Sequence, residues 1–175
     1  MIQVSLMVTR DAKTAVNPLL SWSLKQLGLP PEERKHEETG RPVLASGLHL
    51  SVSHTSGAAA VALGDTPVGL DLERLRPVKP GLARRVLSDG EYAWFLENGA
   101  RQEDFLTLWT LKESYYKYLG TGLPGFPNKT DFFPENGQWK LRGQPLRFWT
   151  QKNGLLFLTL CGTEQEVNFR IYPES

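Results

Sequence analysis

The apolar residues of this chain recur with two different spacings, which predict two kinds of secondary structure. Short runs that alternate or are continuously apolar predict β-strands, whereas apolar residues three or four positions apart predict amphipathic helices. Strands are predicted at residues 2–8, 48–54, 58–64, 68–73, 138–142, 145–151, 155–161 and 166–172, helices at 17–29, 82–87, 88–98 and 103–120, and a polar loop at 30–42. This order of elements predicts an α+β fold in two halves that meet near residues 65–75.

The predicted strand at residues 68–73 carries two acidic residues inside an apolar run, VGLDLE. Because successive side chains of a strand point to opposite faces, Asp71 and Glu73 share one face, and the apolar side chains between them can enter a core on the other. Two like charges this close repel each other, so we expect a positive group between them. The alternative is an exposed acidic face that is paired with Arg74 or Arg76.

The predicted helix at residues 103–120 places a lysine where apolar residues are expected. At about 100° per residue the apolar side chains form two adjacent stripes, and Lys112 falls between them. A lysine at that position is costly unless a partner neutralises it. Glu113 lies at the edge of the same arc, one turn before Lys117. The alternative is that Lys112 extends its ammonium group to solvent and that Glu113 and Lys117 form a surface ion pair.

Asp71, Glu73 and Glu113 together supply the kind of ligands that a hard divalent cation takes. Mg²⁺ binds carboxylate oxygens, keeps several waters and commonly bridges to substrate phosphates. Lys112 and Lys117 add positive charge that can offset charge developing on phosphoryl oxygens. The combination predicts phosphoryl chemistry at a Mg²⁺ site, and it explains why the two acids of the strand alternate.

Three further segments contain polar residues with weaker signals. In LSVSHTSG, at residues 50–57, Ser53, His54 and backbone N–H groups could contact an anion, or the small residues could simply form a turn above a packed histidine. Arg41, in TGRPVL, and Lys13, near the chain start, could each be an ordinary surface residue.

Composition and charge narrow the class of protein. The chain has 175 residues, 40% of them hydrophobic and 22% charged, which suits one compact domain or two small subdomains that share a core. The 20 basic and 19 acidic residues give a formal charge of +1, which argues against a strongly basic nucleic-acid-binding protein. Cys161 is the single cysteine, so an intrachain disulfide is excluded and a reducing compartment is expected.

The start of the chain and its hydropathy predict the compartment. The first residues, MIQVSLMVTRDAK, lack the basic segment and the long apolar segment of a signal peptide. No stretch reaches the roughly 18 apolar residues that a membrane helix needs. We therefore expect a cytoplasmic protein with no membrane partner.

Four motifs occur in an order that is specific for one enzyme family. GRPVL is followed by LSVSH, then by VGLDLE, and then by LWTLKESYYKYLGTGL. Over about residues 39–126 this series resembles that of the 4′-phosphopantetheinyl transferases of the surfactin-synthetase-activating type. Most of the specificity lies in the patterns G-[IVL]-D-[ILV]-E and W-x-x-K-E-S-x-x-K, occurring in that order.

The resemblance implies an α+β fold of two similar α/β halves related by pseudo-twofold symmetry. Antiparallel sheets with packed helices would form the halves, and the site would lie between them in a single compact unit. We assign residues 1–66 to a shortened N-terminal half and residues 67–175 to the C-terminal half. Because the site would be complete within one chain, we expect a monomer.

The activity implied by the resemblance is transfer of 4′-phosphopantetheine from coenzyme A to a serine of an apo acyl or peptidyl carrier protein. The reaction releases adenosine 3′,5′-bisphosphate and depends on Mg²⁺. Two other classes remain open on the residues alone. One is a different Mg²⁺-dependent phosphoryl-transfer or hydrolysing enzyme, and the other is a non-catalytic module that binds carrier proteins or coenzyme A.

The resemblance also implies the catalytic and metal residues. The family pattern makes Asp71, Glu73 and Glu113 the magnesium ligands, with Glu113 as the candidate base for the carrier serine. Lys112 and Lys117 fall where lysines of the family face the pyrophosphate and the pantetheine phosphate, so both are expected to bind coenzyme A and to take part in catalysis.

The remaining expected contacts with coenzyme A lie in the N-terminal part. Ser53 and His54 match a serine–histidine pair that contacts its phosphates, and Arg41 matches a basic residue near the nucleotide. Lys13 is assigned to the grip on the 3′-phosphate. The chain departs from the family at Ser51, where asparagine is common, and in the short stretch that precedes TGRPVL.

Overall fold

A computed structural model describes residues 1–79, 81–125, 127–163 and 166–173 of the chain. Its strands are β1 Ile2–Val8, β2 Lys35–His36, β3 Pro42–Val43, β4 His49–Thr55, β5 Ala58–Gly64, β6 Val68–Arg74, β7 Phe132–Glu135, β8 Gln138–Leu141, β9 Arg147–Asn153, β10 Leu156–Gly162 and β11 Val167–Ile171. Its helices are α1 Ala12–Gln26, α2 Leu82–Val86, α3 Asp89–Glu97 and α4 Gln102–Leu119, with a 3₁₀ turn at Pro127–Lys129.

The strands form three sheets in which nearly all neighbours are antiparallel. The largest has six strands in the order β11-β1-β5-β4-β3-β2, the second has the order β6-β10-β9, and β7 pairs with β8. The pair β1–β11 is parallel. The predicted α+β class, with antiparallel sheets and packed helices, is confirmed.

The two main sheets are built by the same sequence of elements. In each, a first strand is followed by a helix and then by a hairpin whose second strand pairs antiparallel with the first strand. This gives β1-β5-β4 with helix α1 and β6-β10-β9 with helix α4. The two similar halves that the resemblance implied are therefore present as a repeated topology.

The end of the chain crosses between the halves. Strand β11 pairs with β1, with Phe169 opposite Val4, so it extends the sheet of the first half. The boundary between residues 66 and 67 falls in the turn from β5 to β6, and it stays a prediction.

The hydrophobic core forms between the sheets and beneath each helix. Val68, Leu70 and Leu72 pack with β1, β5 and β10 in the cluster between the two main sheets. Their burial orients the alternate residues of β6, Asp71 and Glu73, to the opposite side, as the strand period predicted. Helix α1 covers the outer face of the first sheet, and α4 covers that of the second.

Strands β4 and β6 lie side by side at the junction of the halves, and side-chain hydroxyls join them. Ser51 Oγ accepts the N–H of Leu70 at 2.9 Å, and Ser53 Oγ accepts that of Leu72 at 3.1 Å. A third hydroxyl, Thr55 Oγ1, accepts the N–H of Arg74 at 3.2 Å. We call these three residues of β4 the hydroxyl row. They satisfy backbone donors of β6 that a neighbouring strand would otherwise take.

Helix α4 packs directly onto the backbone of β6 at Gly69. A Cβ atom at this position would lie 1.9 Å from the carbonyl oxygen of Ser114 and 2.4 Å from the backbone nitrogen of Tyr118. Only glycine permits this approach, and the approach brings the polar edge of α4 against the acidic side of β6.

Differences from the predicted elements occur in both halves, and strand β7, Phe132–Glu135, was not predicted. Helix α1 begins five residues earlier than predicted, because Asp11 caps it by accepting the N–H of Thr14 at 3.3 Å. Polarity alone indicated a loop at residues 30–42, but strand β2 lies in the middle of this segment and strand β3 begins at its last residue. Both strands extend the first sheet.

Candidate active site

A cavity of about 340 Å³ opens at the junction of the two halves. Its lining is mostly polar and comprises Lys13, Arg34, Val52, Ser53, His54, Asp71, Leu72, Glu73, Glu113 and Lys117. Strand β4 and helix α1 thus face strand β6 and helix α4 across one space. Seven residues predicted to act at the site line this cavity: Lys13, Ser53, His54, Asp71, Glu73, Glu113 and Lys117.

Asp71 lies at the floor of the cavity, with one carboxylate oxygen paired and the other unpaired. Its Oδ1 accepts from Lys117 Nζ at 2.7 Å and from Ser53 Oγ at 3.0 Å. Its Oδ2 is buried and has no hydrogen-bond partner within the described residues. The positive group expected beside the two acids is therefore Lys117, and a second acceptor oxygen remains unsatisfied.

Glu73 lies next to Asp71 on the same face of β6. Trp109 Nε1 donates to Glu73 Oε1 at 3.2 Å, and Arg76 approaches Glu73 Oε2 at 3.8 Å. Burial raises the pKa of Glu73 above its ordinary value, and the charge of Asp71 raises it further.

Glu113 reaches the cavity from helix α4. Burial raises its pKa to about 7, the nearby charges of Asp71 and Glu73 add to the rise, and Lys117 opposes it. A carboxyl group with such a pKa can hold or release a proton near neutral pH. Three carboxyl groups therefore share the cavity with Lys117.

The three carboxyl groups of the cavity are chemically suited to a hard divalent cation, although they do not lie close enough together to enclose one. Within the described ranges, no three acidic, histidine or cysteine side chains lie close enough together to hold a metal ion as they stand. Asp71, Glu73 and Glu113 nevertheless supply carboxylate oxygens to one cavity, which is the ligand type Mg²⁺ takes. The unpaired, buried Oδ2 of Asp71 is an acceptor that a cation would satisfy.

The structure places Lys112 away from this cavity, so the expectation that it faces the phosphates is wrong here. Its side chain is fully buried, and its Nζ forms an ion pair with Glu91 Oε2 at 2.7 Å. Nζ also donates to the carbonyl oxygens of Pro127 and Thr130 and to Thr130 Oγ1. The partner that a lysine in an apolar arc requires is thus Glu91 of helix α3, and the alternative of a solvent-exposed ammonium group is wrong as well.

Arg41 lies in a second cavity, of about 240 Å³, beside the first. Val52 and Lys117 line both cavities. Gly120 ends helix α4 with φ of 72°, and a Cβ atom there would lie 3.0 Å from an Arg41 guanidinium nitrogen. The glycine therefore lets Arg41 pack against the end of α4, on the side of Lys117 that faces the second cavity.

A profile of the 4′-phosphopantetheinyl transferase superfamily matches residues 67–161, more than half of the chain. The chain belongs to this superfamily. The matched region contains Asp71, Glu73, Glu113 and Lys117, whereas Ser53, His54, Arg41 and Lys13 lie before it.

Individual phosphopantetheinyl transferases are similar to the chain over part of their length. The 4′-phosphopantetheinyl transferase gsp of Aneurinibacillus migulanus is 30% identical over 67% of this chain and 48% of its own sequence. A 4′-phosphopantetheinyl transferase of Bacillus pumilus is 33% identical over 61% of this chain and 48% of its own. The chain thus spans about half the length of these curated relatives.

Among solved structures, the holo-[acyl-carrier-protein] synthase of Thermotoga maritima matches the chain over 55% of this chain and 61% of its own, at 26% identity and a TM-score of 0.49.

None of the helices in the described part of this phosphopantetheinyl transferase family member combines the length and the apolar composition that a membrane-spanning helix needs.

The sequence did not indicate every polar residue at the site of this superfamily member. Arg34 lines the first cavity and donates from Nε to Asn17 Oδ1 at 3.0 Å, but it lies in a segment read only as a polar loop. Trp109 belongs to the motif that carried the resemblance, yet no role followed from it. The hydroxyl row had a detectable signal, because Ser51 and Ser53 occupy alternate positions of the strand predicted at residues 48–54 and Thr55 follows it directly.

Proposed function

We propose that the protein transfers 4′-phosphopantetheine from coenzyme A to a serine of an apo carrier protein. The observation that carries the proposal is the pairing of Asp71 Oδ1 with Lys117, beside an unpaired Oδ2, in a cavity that Glu73 and Glu113 also line. Membership of the 4′-phosphopantetheinyl transferase superfamily supports the same activity.

Asp71, Glu73 and Glu113 are the residues that would hold Mg²⁺. The bound cation would offset negative charge on the pyrophosphate of coenzyme A. The three carboxyl groups supply oxygens, and Lys117 already occupies one oxygen of Asp71. This chemistry supports a divalent cation at the site.

Glu113 is the proposed base. Its carboxylate lines the first cavity and can accept the proton of the carrier serine. The serine oxygen then forms a bond to the phosphorus that bears pantetheine. The bond from that phosphorus to the adjoining phosphate oxygen breaks, and adenosine 3′,5′-bisphosphate leaves. Lys117 would offset charge on the departing oxygen.

The two adjoining cavities provide contacts for the two ends of coenzyme A. Lys13, Arg34 and His54 line the first cavity and supply groups for phosphates. The second is lined by Arg41 and His36 together with Pro42, Leu50 and Val52, so it offers both polar groups and apolar surface to a nucleotide base. We propose that coenzyme A lies across both cavities, with Lys117 between them. In this arrangement Lys112 supports the fold and contacts no substrate.

The acceptor would be an acidic carrier protein that docks beside the first cavity. Helix α2 and the segment before it are basic, with Arg76, Lys79, Arg84 and Arg85 close after Glu73 in the chain. Arg84 is already paired with Asp89 at 2.8 Å. We further expect a monomer that acts in the cytoplasm, without a nucleic-acid or membrane partner.

Incubation with coenzyme A, Mg²⁺ and an apo carrier protein, followed by intact mass measurement of the carrier, tests this function. We expect a gain of one phosphopantetheine group with the wild type and none with Asp71→Asn. Asp65→Asn is the matched control, because Asp65 is an exposed aspartate whose carboxylate pairs with the chain's amino terminus.

Other outcomes of the same experiment favour the two alternative classes. Cleavage of coenzyme A without a gain in carrier mass would indicate a hydrolysing phosphoryl enzyme. Binding of coenzyme A or carrier without either reaction would indicate a non-catalytic module. The non-catalytic outcome is not expected, because Asp71, Glu113 and Lys117 line the described cavity.

A further inference from the structure

Trp109 lies on the side of helix α4 that faces strand β6. It precedes Glu113 by one turn and Lys117 by two, so the three residues follow one stripe of the helix. The indole N–H of Trp109 donates to Glu73 Oε1 at 3.2 Å. Trp109 thus contacts a proposed cation ligand from the same helix stripe that supplies Glu113 and Lys117.

The ring of Trp109 and its N–H group have separate surroundings. The ring is partly buried against the core of the C-terminal half and stacks on Phe105, with centroids 6.3 Å apart and planes at 25°. Phenylalanine would keep most of that packing. The N–H group, in contrast, points at a carboxylate, and an indole nitrogen can donate but cannot accept.

The two oxygens of Glu73 are held by different residues. Oε1 accepts from Trp109 at 3.2 Å, and Oε2 faces Arg76 at 3.8 Å. Arg76 is mostly exposed, with 68% of its side-chain surface accessible, so solvent weakens its hold. The contact with Trp109 is therefore the shorter and less exposed of the two, and it limits rotation of the Glu73 carboxylate.

We propose that Trp109 is a positioning residue for the cation site: its indole N–H holds Glu73 in the orientation needed to bind a divalent cation. This proposal depends on one part of the proposed function, namely that Glu73 is a ligand of the cation. It gives a role to the tryptophan of the W-x-x-K-E-S-x-x-K motif. Partners that orient a ligand typically change metal affinity by about 10- to 100-fold when removed.

The test is Mn²⁺ binding to the whole chain without coenzyme A, followed by the electron paramagnetic resonance signal of free Mn²⁺. We expect Trp109→Phe to weaken binding by about 10-fold or more. Trp94→Phe is the matched control, because Trp94 is also partly buried against the same core and contacts another ring, Trp139, at 5.0 Å. It should leave Mn²⁺ affinity unchanged.

A double-mutant cycle with Glu73→Gln separates positioning from a general structural effect. If Trp109 acts through the Glu73 carboxylate, Trp109→Phe should change Mn²⁺ affinity much less in the Glu73→Gln background. An equal loss in both backgrounds would overturn the proposal, as would an unchanged affinity in Trp109→Phe alone. A wild type that binds no Mn²⁺ would overturn it as well.

The Mn²⁺ measurement is independent of carrier modification. If the wild type binds Mn²⁺ and the cycle shows coupling while no carrier gains mass, the positioning role stands and the proposed transfer fails.

Discussion

Lys112 Nζ lies 2.7 Å from Glu91 Oε2, and neither side chain is accessible to solvent. Burial lowers the pKa of the lysine and raises that of the glutamate, and their mutual attraction opposes both changes. Glu91 also accepts the backbone N–H groups of Ser88 and Phe132. The pair therefore ties helix α4 to the start of α3 and to strand β7, behind the cavity and not inside it.

Lys112→Met should destabilise the fold by about 3–5 kcal/mol, because it leaves the Glu91 carboxylate buried without its cation. Urea unfolding of the wild type and the variant measures this change. The double variant Lys112→Met/Glu91→Gln should recover part of the loss, since the uncompensated charge is gone. If the Lys112→Met variant is as stable as the wild type but has lost phosphopantetheine transfer activity, the phosphate-binding role that the resemblance implied for Lys112 would be supported instead.

Glu113 should make the stability of the metal-free protein depend on pH. Its pKa is about 7 in the folded protein against an ordinary value of 4.5, so the folded state binds this proton more tightly than the unfolded chain. The stability it contributes is fully present below about pH 4.5 and is lost as pH rises through about 7.

Thermal unfolding with a chelator, between about pH 5 and pH 8, measures this contribution. Glu113→Gln should show a smaller decline in unfolding midpoint across the range than the wild type, because glutamine does not titrate. Glu97→Gln, at an exposed position near the end of α3, is the control and should decline like the wild type. Equal declines in all three proteins would mean that Glu113 titrates near its ordinary value.

Gly69→Ala should separate helix α4 from strand β6. A Cβ atom 1.9 Å from the Ser114 carbonyl oxygen cannot be accommodated without moving backbone, and overpacking of this kind costs at least about 1–3 kcal/mol. We expect a lower unfolding midpoint together with weaker Mn²⁺ binding, since Glu113 moves away from Asp71. Gly125→Ala, where a Cβ atom meets nothing within 4 Å, should be neutral in both measurements.

Charge reversal at Lys79 and Arg85 should weaken docking of an acidic carrier protein. Both residues are exposed near helix α2, and complementary charge acts mainly on association. The double change to glutamate should raise the carrier KM several-fold and leave the KM for coenzyme A nearly unchanged. The wild-type carrier KM should rise with ionic strength, because salt screens exposed charges.

The control for docking is Lys25→Glu, on the exposed last turn of α1. It changes a charge of the same sign in the other half of the molecule, so the carrier KM should stay near the wild-type value. A double variant whose carrier KM is unchanged at low salt would place the docking surface elsewhere.

The sequence by itself determined the features that depend on neighbouring residues. The period of a strand is two residues, so the pattern of β6 was enough to put Asp71 and Glu73 on one face and the apolar residues on the other. The arc of helix α4 likewise showed that Lys112 needed a partner. The order of the motifs indicated the family, which the match over residues 67–161 confirms.

Tertiary structure decided which distant residues meet. Lys112 forms an ion pair with a glutamate of α3, and Glu73 accepts a hydrogen bond from the indole N–H of Trp109. The hydroxyl row of β4 accepts hydrogen bonds from backbone N–H groups of β6. None of these pairs follows from a local period, because each joins separate elements whose distance is set by packing. At Gly69 the absence of a side chain lets α4 approach β6, and that approach places Lys117 on Asp71 and leaves Lys112 behind the cavity.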